Sequence, residues 1–270
     1  MTIKKLLKLL LPTIIVKLIE QSNSKISWYG NFKSWQDAAL RCTNYSNKKL
    51  LKQLVHARKN VLNGTAVYER DGINFDSPKY ELEIYSFLQS IFIKQKSSNV
   101  SVLDFGGALG STFYALSHYT KLTNLNINMS WSIVEQKELI EQAKDILDAM
   151  PIQFYTSINN AIEKNNYHVC LCSSVLQYVQ NPYEILDQII KSKIKYLIID
   201  RTPFIKSAED RLCIQKVEIP KIKSIYPAWF FSWDKFSTYI SNYYQIKYCF
   251  KSWEKATIES EYKGLFLERK

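Results

Sequence analysis

Between residues 100 and 200, the chain alternates short apolar runs with helical stretches, and this alternation restricts the possible folds more than any other feature. Five runs are long enough to form buried strands: Val100–Phe105, Met129–Val134, Ile152–Tyr155, Val169–Cys172 and Tyr196–Ile199. A repeated strand–helix order is typical of a parallel sheet with helices on both faces. The sequence therefore predicts an α/β, Rossmann-like and doubly wound sheet that is mostly parallel.

The segments on either side of this region predict additions to the wound sheet. After a long loop and a helix near Trp233–Ser241, the runs Ile246–Phe250 and Gly264–Leu267 are close enough to pair as a C-terminal antiparallel hairpin. We expect a polar linker over Gln21–Gly30. The predicted parts of the chain are a basic apolar helix (residues 1–20), a helical N-terminal extension (residues 28–95) and the Rossmann-like domain (residues 96–270).

The net charge of +11 is concentrated near the N-terminus. Residues 1–60 contain twelve Lys and Arg but only Glu20 and Asp37, so they carry +10 of this charge. The asymmetry favours an anionic partner for this region: a membrane surface, a nucleic acid or an acidic glycan. A solvated basic face would have the same composition and is the alternative.

The stretch from Leu6 to Ile19 is apolar but is interrupted by Lys8, Pro12 and Lys17. It is too short and too interrupted for a transmembrane span, and no small-residue cleavage site follows it. Two interpretations remain: a helix lying on an anionic membrane surface, or a helix packed on the main domain. We expect a cytoplasmic protein, peripheral on the inner face of the cytoplasmic membrane in the first case.

The five cysteines do not form a disulfide-like framework, and no His or Cys cluster has metal-ligand spacing. Cys170 and Cys172 alternate along an apolar run, as core residues of a strand do. The pattern predicts a reducing compartment and no bound metal.

A glycine-rich turn follows the first strand of the wound region, and glycines let a backbone turn sharply and approach a ligand. Glu135 ends the second strand, where a carboxylate can accept hydrogen bonds from both ribose hydroxyls of a nucleoside. We therefore predict a nucleoside-cofactor site. Its predicted residues are Asp104, Gly106, Gly107, Ala108, Gly110, Glu135, Gln136, Ser173 and Ser174.

Asp104 separates two classes of nucleoside cofactor. An ionised carboxylate beside the turn would repel the pyrophosphate of NAD, whereas S-adenosylmethionine has no phosphate and carries an ammonium and a sulfonium. The sequence therefore favours S-adenosyl-L-methionine and a methyltransferase over a dehydrogenase. A turn-capping role for Asp104 is the structural alternative.

Ligands of wound sheets bind beyond the carboxyl ends of the strands, so Ser173, Ser174 and Gln177 should border the cofactor or the acceptor. Asp200, after the fifth run, is the candidate catalytic base that would take a proton from an acceptor hydroxyl. Alignment of the acceptor with the methyl donor could suffice without a base, and Asp200 could instead pair with Arg201 or Arg211.

Two clusters, Tyr68–Asp71 and Tyr226–Phe231, combine aromatic or charged residues outside the predicted strands. Aromatic rings stack on sugar rings, and Arg and Asp bind hydroxyls, so the clusters suit a carbohydrate acceptor. Packing in a core or a lid is the alternative. The predicted substrate-binding residues are Glu69, Arg70, Asp71, Gln177, Arg201, Tyr226 and Trp229.

Seven segments, spread over about Trp28 to Phe250, resemble a bacterial family of methyltransferase-like proteins whose genes tend to lie among those for surface polysaccharide, including O-antigen. The segments are Trp28–Gly30 with Phe32–Trp35, Tyr68–Asp71, Leu103–Ser111, Val134–Gln136, Ser173–Tyr178, Ile199–Phe204 and Tyr226–Phe231. The resemblance implies a class I methyltransferase fold, a glycan-related role, and cofactor contacts at Asp104, Gly106, Gly110 and Glu135.

The sequence departs from the general methyltransferase pattern at two places. Ala108 stands where many methyltransferases have a glycine, which weakens the expected binding without excluding it. Thr156–Ile158, after the third strand, lacks the acidic residue that commonly meets the adenine amino group.

The leading hypothesis is an S-adenosylmethionine-dependent O-methyltransferase that acts on a sugar hydroxyl of a surface glycan or its lipid-linked precursor. One rival is a non-catalytic Rossmann-like scaffold in glycan assembly, which would need neither Asp104 nor Glu135. Another is an NAD-dependent sugar-modifying oxidoreductase, which Asp104 disfavours. A nucleic-acid substrate is disfavoured because the basic charge lies outside the wound domain and no Asn-Pro-Pro-Tyr-type motif follows the fourth strand.

Overall fold

The computed structural model describes residues 25–42, 48–77, 82–95, 99–123, 128–219 and 222–270. The helix expected over residues 1–20 lies outside the described residues. Within these described ranges, no helix is long and apolar enough to cross a membrane.

Three strands and three helices precede the wound region in the described part of the chain. The strands are β1 (Lys25–Phe32), β2 (Tyr68–Arg70), β3 (Ile73–Phe75), β4 (Asn99–Phe105), β5 (Asn128–Val134), β6 (Ile152–Tyr155), β7 (Val169–Ser173), β8 (Tyr196–Ile205), β9 (Arg211–Ile219), β10 (Ile222–Ser232), β11 (Tyr244–Lys251) and β12 (Glu261–Arg269). The helices are α1 (Trp35–Ala39), α2 (Lys48–Leu62), α3 (Leu82–Gln95), α4 (Ser111–Thr123), α5 (Lys137–Leu147), α6 (Ile158–Lys164), α7 (Pro182–Lys191) and α8 (Trp233–Ser241).

The five predicted runs form the parallel part of the sheet, in the spatial order β6-β5-β4-β7-β8. β12 lies antiparallel to β8, and β11 lies antiparallel to β12. The predicted α/β fold and its C-terminal hairpin are therefore confirmed. The winding direction reverses between β4 and β7, and the crevice at such a reversal is where ligands of wound sheets bind.

Helices cover both faces of the sheet because each presents an apolar stripe to it. Leu54 of α2, Leu88 of α3 and Leu116 of α4 belong to one buried cluster with the first face. Leu186 of α7 and Phe236 of α8 belong to a second cluster on the opposite face. The two cores leave the carboxyl ends of the parallel strands as the edge where polar groups collect.

Two expectations about the additions to the sheet were wrong. The long loop expected after the fifth run contains the antiparallel pair β9 and β10, and β10 joins the last residues of β8. Trp28 to Phe32, expected in the linker and the helical extension, belong to β1, which pairs with β9. Within the extension, β2 and β3 form a hairpin between α2 and α3. The polar residues Lys216 and Glu218 within β9 explain why no apolar run revealed the pair.

β8 is longer than its apolar run predicted, and it contains a bulge. Ile199 pairs with Leu265 and Thr202 with Lys263, so Asp200 and Arg201 together oppose the single residue Gly264. Arg201 has a φ of 51°, in the left-handed region. A bulge turns side chains out of the regular strand alternation. Asp200 therefore lies within a kinked strand and not at a strand end.

Candidate active site

The glycine-rich turn joins the end of β4 to the start of α4. Gly106 and Gly110 have φ values of 71° and 84°, and Ala108 has a φ of 48°. A Cβ atom at Gly106 would overlap the side chain of Val175, which follows β7. The turn is thus packed against the chain that leaves the neighbouring strand, and at Gly106 only glycine fits.

Asp104 lies beneath this turn and is only 2% exposed. Its Oδ2 accepts a hydrogen bond from Trp131 Nε1 at 3.2 Å, and a Cβ atom at Gly107 would overlap the carboxylate. The side chain therefore supports the turn from inside, as in the turn-capping alternative. Its negative charge still acts on whatever binds over the turn.

Glu135 links the end of β5 to the same turn. Its Oε2 accepts the backbone N–H of Ala108 at 3.1 Å, and its Oε1 accepts the backbone N–H of Gln136 at 2.8 Å. Burial raises the pKa of Glu135, while these two backbone hydrogen bonds oppose the rise. Each carboxylate oxygen keeps a lone pair that can accept a ligand hydroxyl. The side chain of Gln136 is exposed next to it.

A third carboxylate beside the turn is Glu69 of β2, which the sequence assigned to the acceptor. Its Oε1 lies 2.6 Å from Nη2 of Arg58 and accepts the hydroxyl of Ser111 at 2.5 Å. Its Oε2 is buried and has no hydrogen-bond partner among the described residues. Since Ser111 begins α4, directly after the turn, Glu69 lies beside the turn predicted to bind the cofactor and not in the predicted acceptor site. Neither Arg58 nor Ser111 was predicted from the sequence.

These residues fit S-adenosylmethionine better than a dinucleotide. Asp104, Glu135 and Glu69 place three carboxylates around one turn, two of them against its backbone. Carboxylates attract an ammonium and a sulfonium and repel a pyrophosphate. Glu135 retains acceptors for ribose hydroxyls beside its two backbone hydrogen bonds. The charge and the hydrogen-bond acceptors around the turn are therefore complementary to a cationic nucleoside.

A second polar network lies at the bulge of β8. Asp200, 4% exposed, accepts hydrogen bonds from the hydroxyl of Ser173 on Oδ2 and from that of Ser252 on Oδ1, both at 3.2 Å. Nε of Arg201 lies 3.4 Å from Oδ2 of Asp200, and Nη2 of Arg201 donates to Ser173 at 3.0 Å. Both oxygens of the predicted base are thus already engaged within the protein.

Glu254, between β11 and β12, belongs to this network although the sequence analysis did not select it. Its Oε1 lies 3.7 Å from Nε of Arg201. Its Oε2 is buried and has no hydrogen-bond partner within the described ranges. Burial raises the pKa of Glu254 to about 7, with Asp200 adding to the rise and Arg201 and Arg70 opposing it. No motif surrounds this residue, so only the pairing of β11 with β12 could have revealed it.

The serines and the glutamine after β7 connect the two networks. Ser173 was predicted to border either the cofactor or the acceptor. Its hydroxyl contacts Asp200 and Arg201, which were predicted for the acceptor. Ser174 has a φ of 54° and donates its backbone N–H to the carbonyl of Asp200 at 2.9 Å. Gln177 is buried and donates to Ser174 and to the carbonyl of Arg201. These contacts hold the end of β7 against the bulge of β8, beside the turn.

A cavity of about 1000 Å³ lies over the bulge and is bounded by the connection between β11 and β12. Its lining includes Asp200, Arg201, Ser252, Glu254 and Tyr262. The bulge network therefore forms one wall of a space large enough for a sugar-sized ligand.

Other predicted acceptor residues lie near this cavity. The charge of Arg70 acts on Glu254, and that of Asp71 acts on Tyr178, whose pKa burial raises to about 12. The ring of Tyr226 lies 5.2 Å from that of Tyr178 in an edge-to-face contact. The structure thus brings Arg70, Asp71 and Tyr226 toward the groups around Arg201.

Trp229 belongs to a different place. Its Nε1 donates to the carbonyl of Val179 at 3.1 Å, and its ring stacks on Trp35 at 6.3 Å. It lines a second cavity of about 470 Å³, together with Tyr183 and Lys235, and not the first. As a residue of β10 with a satisfied N–H, it packs the β-sheet addition.

In the part of the chain that the structure describes, no group of three or more His, Cys, Asp and Glu side chains could hold a metal ion. The described cysteines are free thiols: Cys42, Cys170, Cys172, Cys213 and Cys249.

No protein-family model matches the chain, and no curated protein matches it. Solved structures of methyltransferases are similar in fold. The N-terminal domain of EvdMO1 with S-adenosylhomocysteine bound shares 11% identity over 78% of this chain and 96% of its own, with a TM-score of 0.45.

Two further structures show the same level of similarity. An S-adenosylmethionine-dependent methyltransferase from Clostridium acetobutylicum shares 10% identity over 70% of this chain and 92% of its own, with a TM-score of 0.43. The glycopeptide N-methyltransferase MtfA with S-adenosylmethionine shares 6% identity over 68% and 93% of the two chains, with a TM-score of 0.41. The class of fold follows from the strand order of this protein and not from these values.

Proposed function

We propose that this protein is an S-adenosylmethionine-dependent methyltransferase. The observation that carries the proposal is the position of Glu135, which leaves β5 and binds the backbone of Ala108 in the turn after β4. The contact brings a carboxylate and a glycine-rich turn to one point at the reversal of the sheet. With Glu69 and Asp104 beside them, a cationic nucleoside is the ligand that suits the charge of the site.

The acceptor in this proposal is a hydroxyl of a sugar, in a surface polysaccharide such as O-antigen or its lipid-linked precursor. The cavity over the bulge supports it through size and through groups that bind hydroxyls, among them Asp200, Arg201 and Glu254. The sequence resemblance to proteins of polysaccharide gene clusters points the same way. A non-catalytic scaffold gives no reason for three carboxylates to converge on one turn.

The proposal is tested by calorimetric titration of the full chain with S-adenosylhomocysteine and, separately, with NAD. Micromolar binding of S-adenosylhomocysteine, about −8 kcal/mol, is expected. Glu135→Ala should weaken it by about 10- to 100-fold, since hydrogen bonds to a charged group contribute about 1.5–3 kcal/mol. Glu141→Gln, at an exposed carboxylate of α5, is the control and should bind normally. Binding of NAD alone would support the oxidoreductase, and binding of neither ligand by folded protein would support the scaffold.

A lipid-linked acceptor would place the enzyme at the inner face of the cytoplasmic membrane. The basic, apolar residues 1–20 support this part of the proposal, because lysines are attracted to anionic lipid by about 1 kcal/mol each. Sedimentation of the full chain with phosphatidylglycerol vesicles, but not with phosphatidylcholine vesicles, is the expected result. Equal sedimentation with both, or with neither, would contradict peripheral attachment through charge.

A further inference from the structure

Two carboxyl groups line the cavity at the bulge in β8, and they differ in how many hydrogen-bond partners they have. Asp200 accepts from Ser173 and Ser252 and lies near Arg201, so both of its oxygens are committed. Glu254 contacts Arg201 through Oε1 only. Its Oε2 is buried and has no hydrogen-bond partner among the described residues. A buried oxygen without a partner favours the protonated, neutral form of the carboxyl group. The Glu254 side chain is 18% exposed and that of Asp200 only 5%, so Glu254 is the more accessible of the two at the cavity wall.

The bulge at the cavity wall lies two strands away from the turn that the proposed function assigns to the methyl donor, since β7 pairs with both β4 and β8. Ser173, hydrogen-bonded to Asp200, ends β7, and Val175 two residues later packs against Gly106. Neighbouring strands lie about 4.8 Å apart, so the turn after β4 and the bulge in β8 are separated by about 10 Å. A sugar in the cavity could therefore present a hydroxyl to both the methyl donor and the carboxyl groups.

On the basis of the proposed function, we infer that Glu254 accepts the proton of the acceptor hydroxyl, and that Asp200 and Arg201 are positioning residues. As the acceptor oxygen forms its bond to the methyl carbon, the carbon–sulfur bond breaks and its electron pair stays on sulfur. The hydroxyl proton passes to the carboxylate of Glu254, whose side chain lines the cavity and is 18% exposed there. The sulfonium charge is lost, the carboxylate charge is neutralised, and the net charge of the site is unchanged.

The surroundings of Glu254 suit a group that exchanges a proton near neutral pH. Burial raises its pKa to about 7, against the ordinary 4.5 of a glutamic acid. The groups whose charge faces it are Asp200 and Arg201 of β8 and Arg70 of β2, with the phenols of Tyr178 and Tyr262 nearby. A base works best with a pKa near the pH at which it operates. Asp200 is instead held by two hydroxyls and an arginine.

The first arm of the test needs no acceptor. Infrared difference spectra of the full chain are recorded across pH for the wild type, Glu254→Gln, Asp200→Asn and the exposed control Glu141→Gln. A protonated carboxylic acid band that disappears at a pH of about 7 is expected in the wild type and the control. It should be absent from Glu254→Gln and still present, at a shifted pH, in Asp200→Asn. A band that survives in Glu254→Gln, or is absent from the wild type, overturns the inference.

The second arm measures transfer of tritiated methyl groups from S-adenosylmethionine to a panel of methyl hexosides and deoxyhexosides. Glu254→Gln should bind S-adenosylhomocysteine within twofold of the wild type. Its kcat should fall by about 100-fold or more and lose the rising limb of the pH profile, because a general base contributes about 10²–10⁴-fold. Transfer by Glu254→Gln at the wild-type rate overturns the inference and leaves the methyltransferase proposal standing. If the wild type does not bind S-adenosylhomocysteine, the proposed function is overturned instead. If no glycoside is methylated, the infrared arm decides.

Discussion

Arg58 of α2 and Glu69 of β2 form an ion pair at 2.6 Å in which both side chains are almost completely buried. Arg58 also lies over the ring of Tyr114, 4.1 Å from its centre. Through the hydroxyl of Ser111, Glu69 joins this pair to the start of α4. One contact thus connects the segment before the wound domain to the candidate cofactor turn.

Removing the arginine of this pair should destabilise the protein strongly. Arg58→Met leaves the Glu69 carboxylate buried without its counter-charge, which typically costs about 3–5 kcal/mol. Urea unfolding of the variant against the wild type measures the change. The control is Lys137→Met, which breaks an exposed pair with Glu141 on α5 and should change the free energy of unfolding by less than about 1 kcal/mol. The prediction fails if the two variants unfold at the same urea concentration.

Replacing Ala108 by glycine should cost less stability than replacing an alanine inside a helix. Its φ of 48° costs an L-residue about 1–2 kcal/mol, and glycine removes that strain. Glycine also makes the unfolded chain more flexible, which offsets about 0.4–1 kcal/mol. Thermal unfolding should therefore show Ala108→Gly unchanged or more stable by up to about 1 kcal/mol. The same substitution at Ala115, inside α4, should lower stability by about 1 kcal/mol or more. Equal destabilisation at both positions would contradict the strain at Ala108.

The turn illustrates what sequence could and could not predict. The spacing of Asp104, the glycines and Glu135 predicted one nucleoside-cofactor site, because the carboxyl ends of parallel strands lie at one edge. The same spacing could not show that Asp104 faces Trp131 and Gly107 from below. That orientation depends on packing between neighbouring strands and leaves no periodic signal in the sequence.

The acceptor side was less predictable because its residues come from distant segments. Asp200 and Arg201 were selected from their position after an apolar run, and both do line the cavity. Glu254 reaches them because β11 pairs with β12, and β12 pairs with β8 on both sides of the bulge. The pairing of β1 with β9 was missed for the same reason, since both strands mix polar and apolar residues and lie far apart in sequence.

The stability of the protein should depend on Glu254 between pH 4.5 and about 7. The folded state holds the Glu254 proton more tightly than the unfolded state, so stability falls as pH rises through this window and then levels off. The shift corresponds to at most about 3 kcal/mol. Urea unfolding across pH should show that Glu254→Gln lacks this component and exceeds the wild type in stability above neutrality. A difference between the two proteins that is independent of pH would contradict the raised pKa.

Gly264, opposite the bulge, should not accept a side chain. A Cβ atom there would overlap the ring of Phe250 across the β11–β12 pair. Overpacking of this kind costs about 1–3 kcal/mol. Thermal unfolding of Gly264→Ala measures the loss. When Phe250 is already alanine, Gly264→Ala should reduce stability less than it does in the wild type, because the overlap is gone. Strict additivity of the two changes would show that the ring does not oppose the new methyl group.

β9 and β10 are inserted between β8 and α8, and none of the contacts that shape the turn after β4 comes from them. Gln215 of β9 accepts a hydrogen bond from the hydroxyl of Tyr178, and Tyr226 of β10 lies against the same ring, so the pair contacts residues close to the bulge. In the proposed function, the two halves of the reaction are therefore served by separate segments. Substitutions in β9 and β10 would alter the choice of acceptor, while the turn assigned to the methyl donor would keep its contacts.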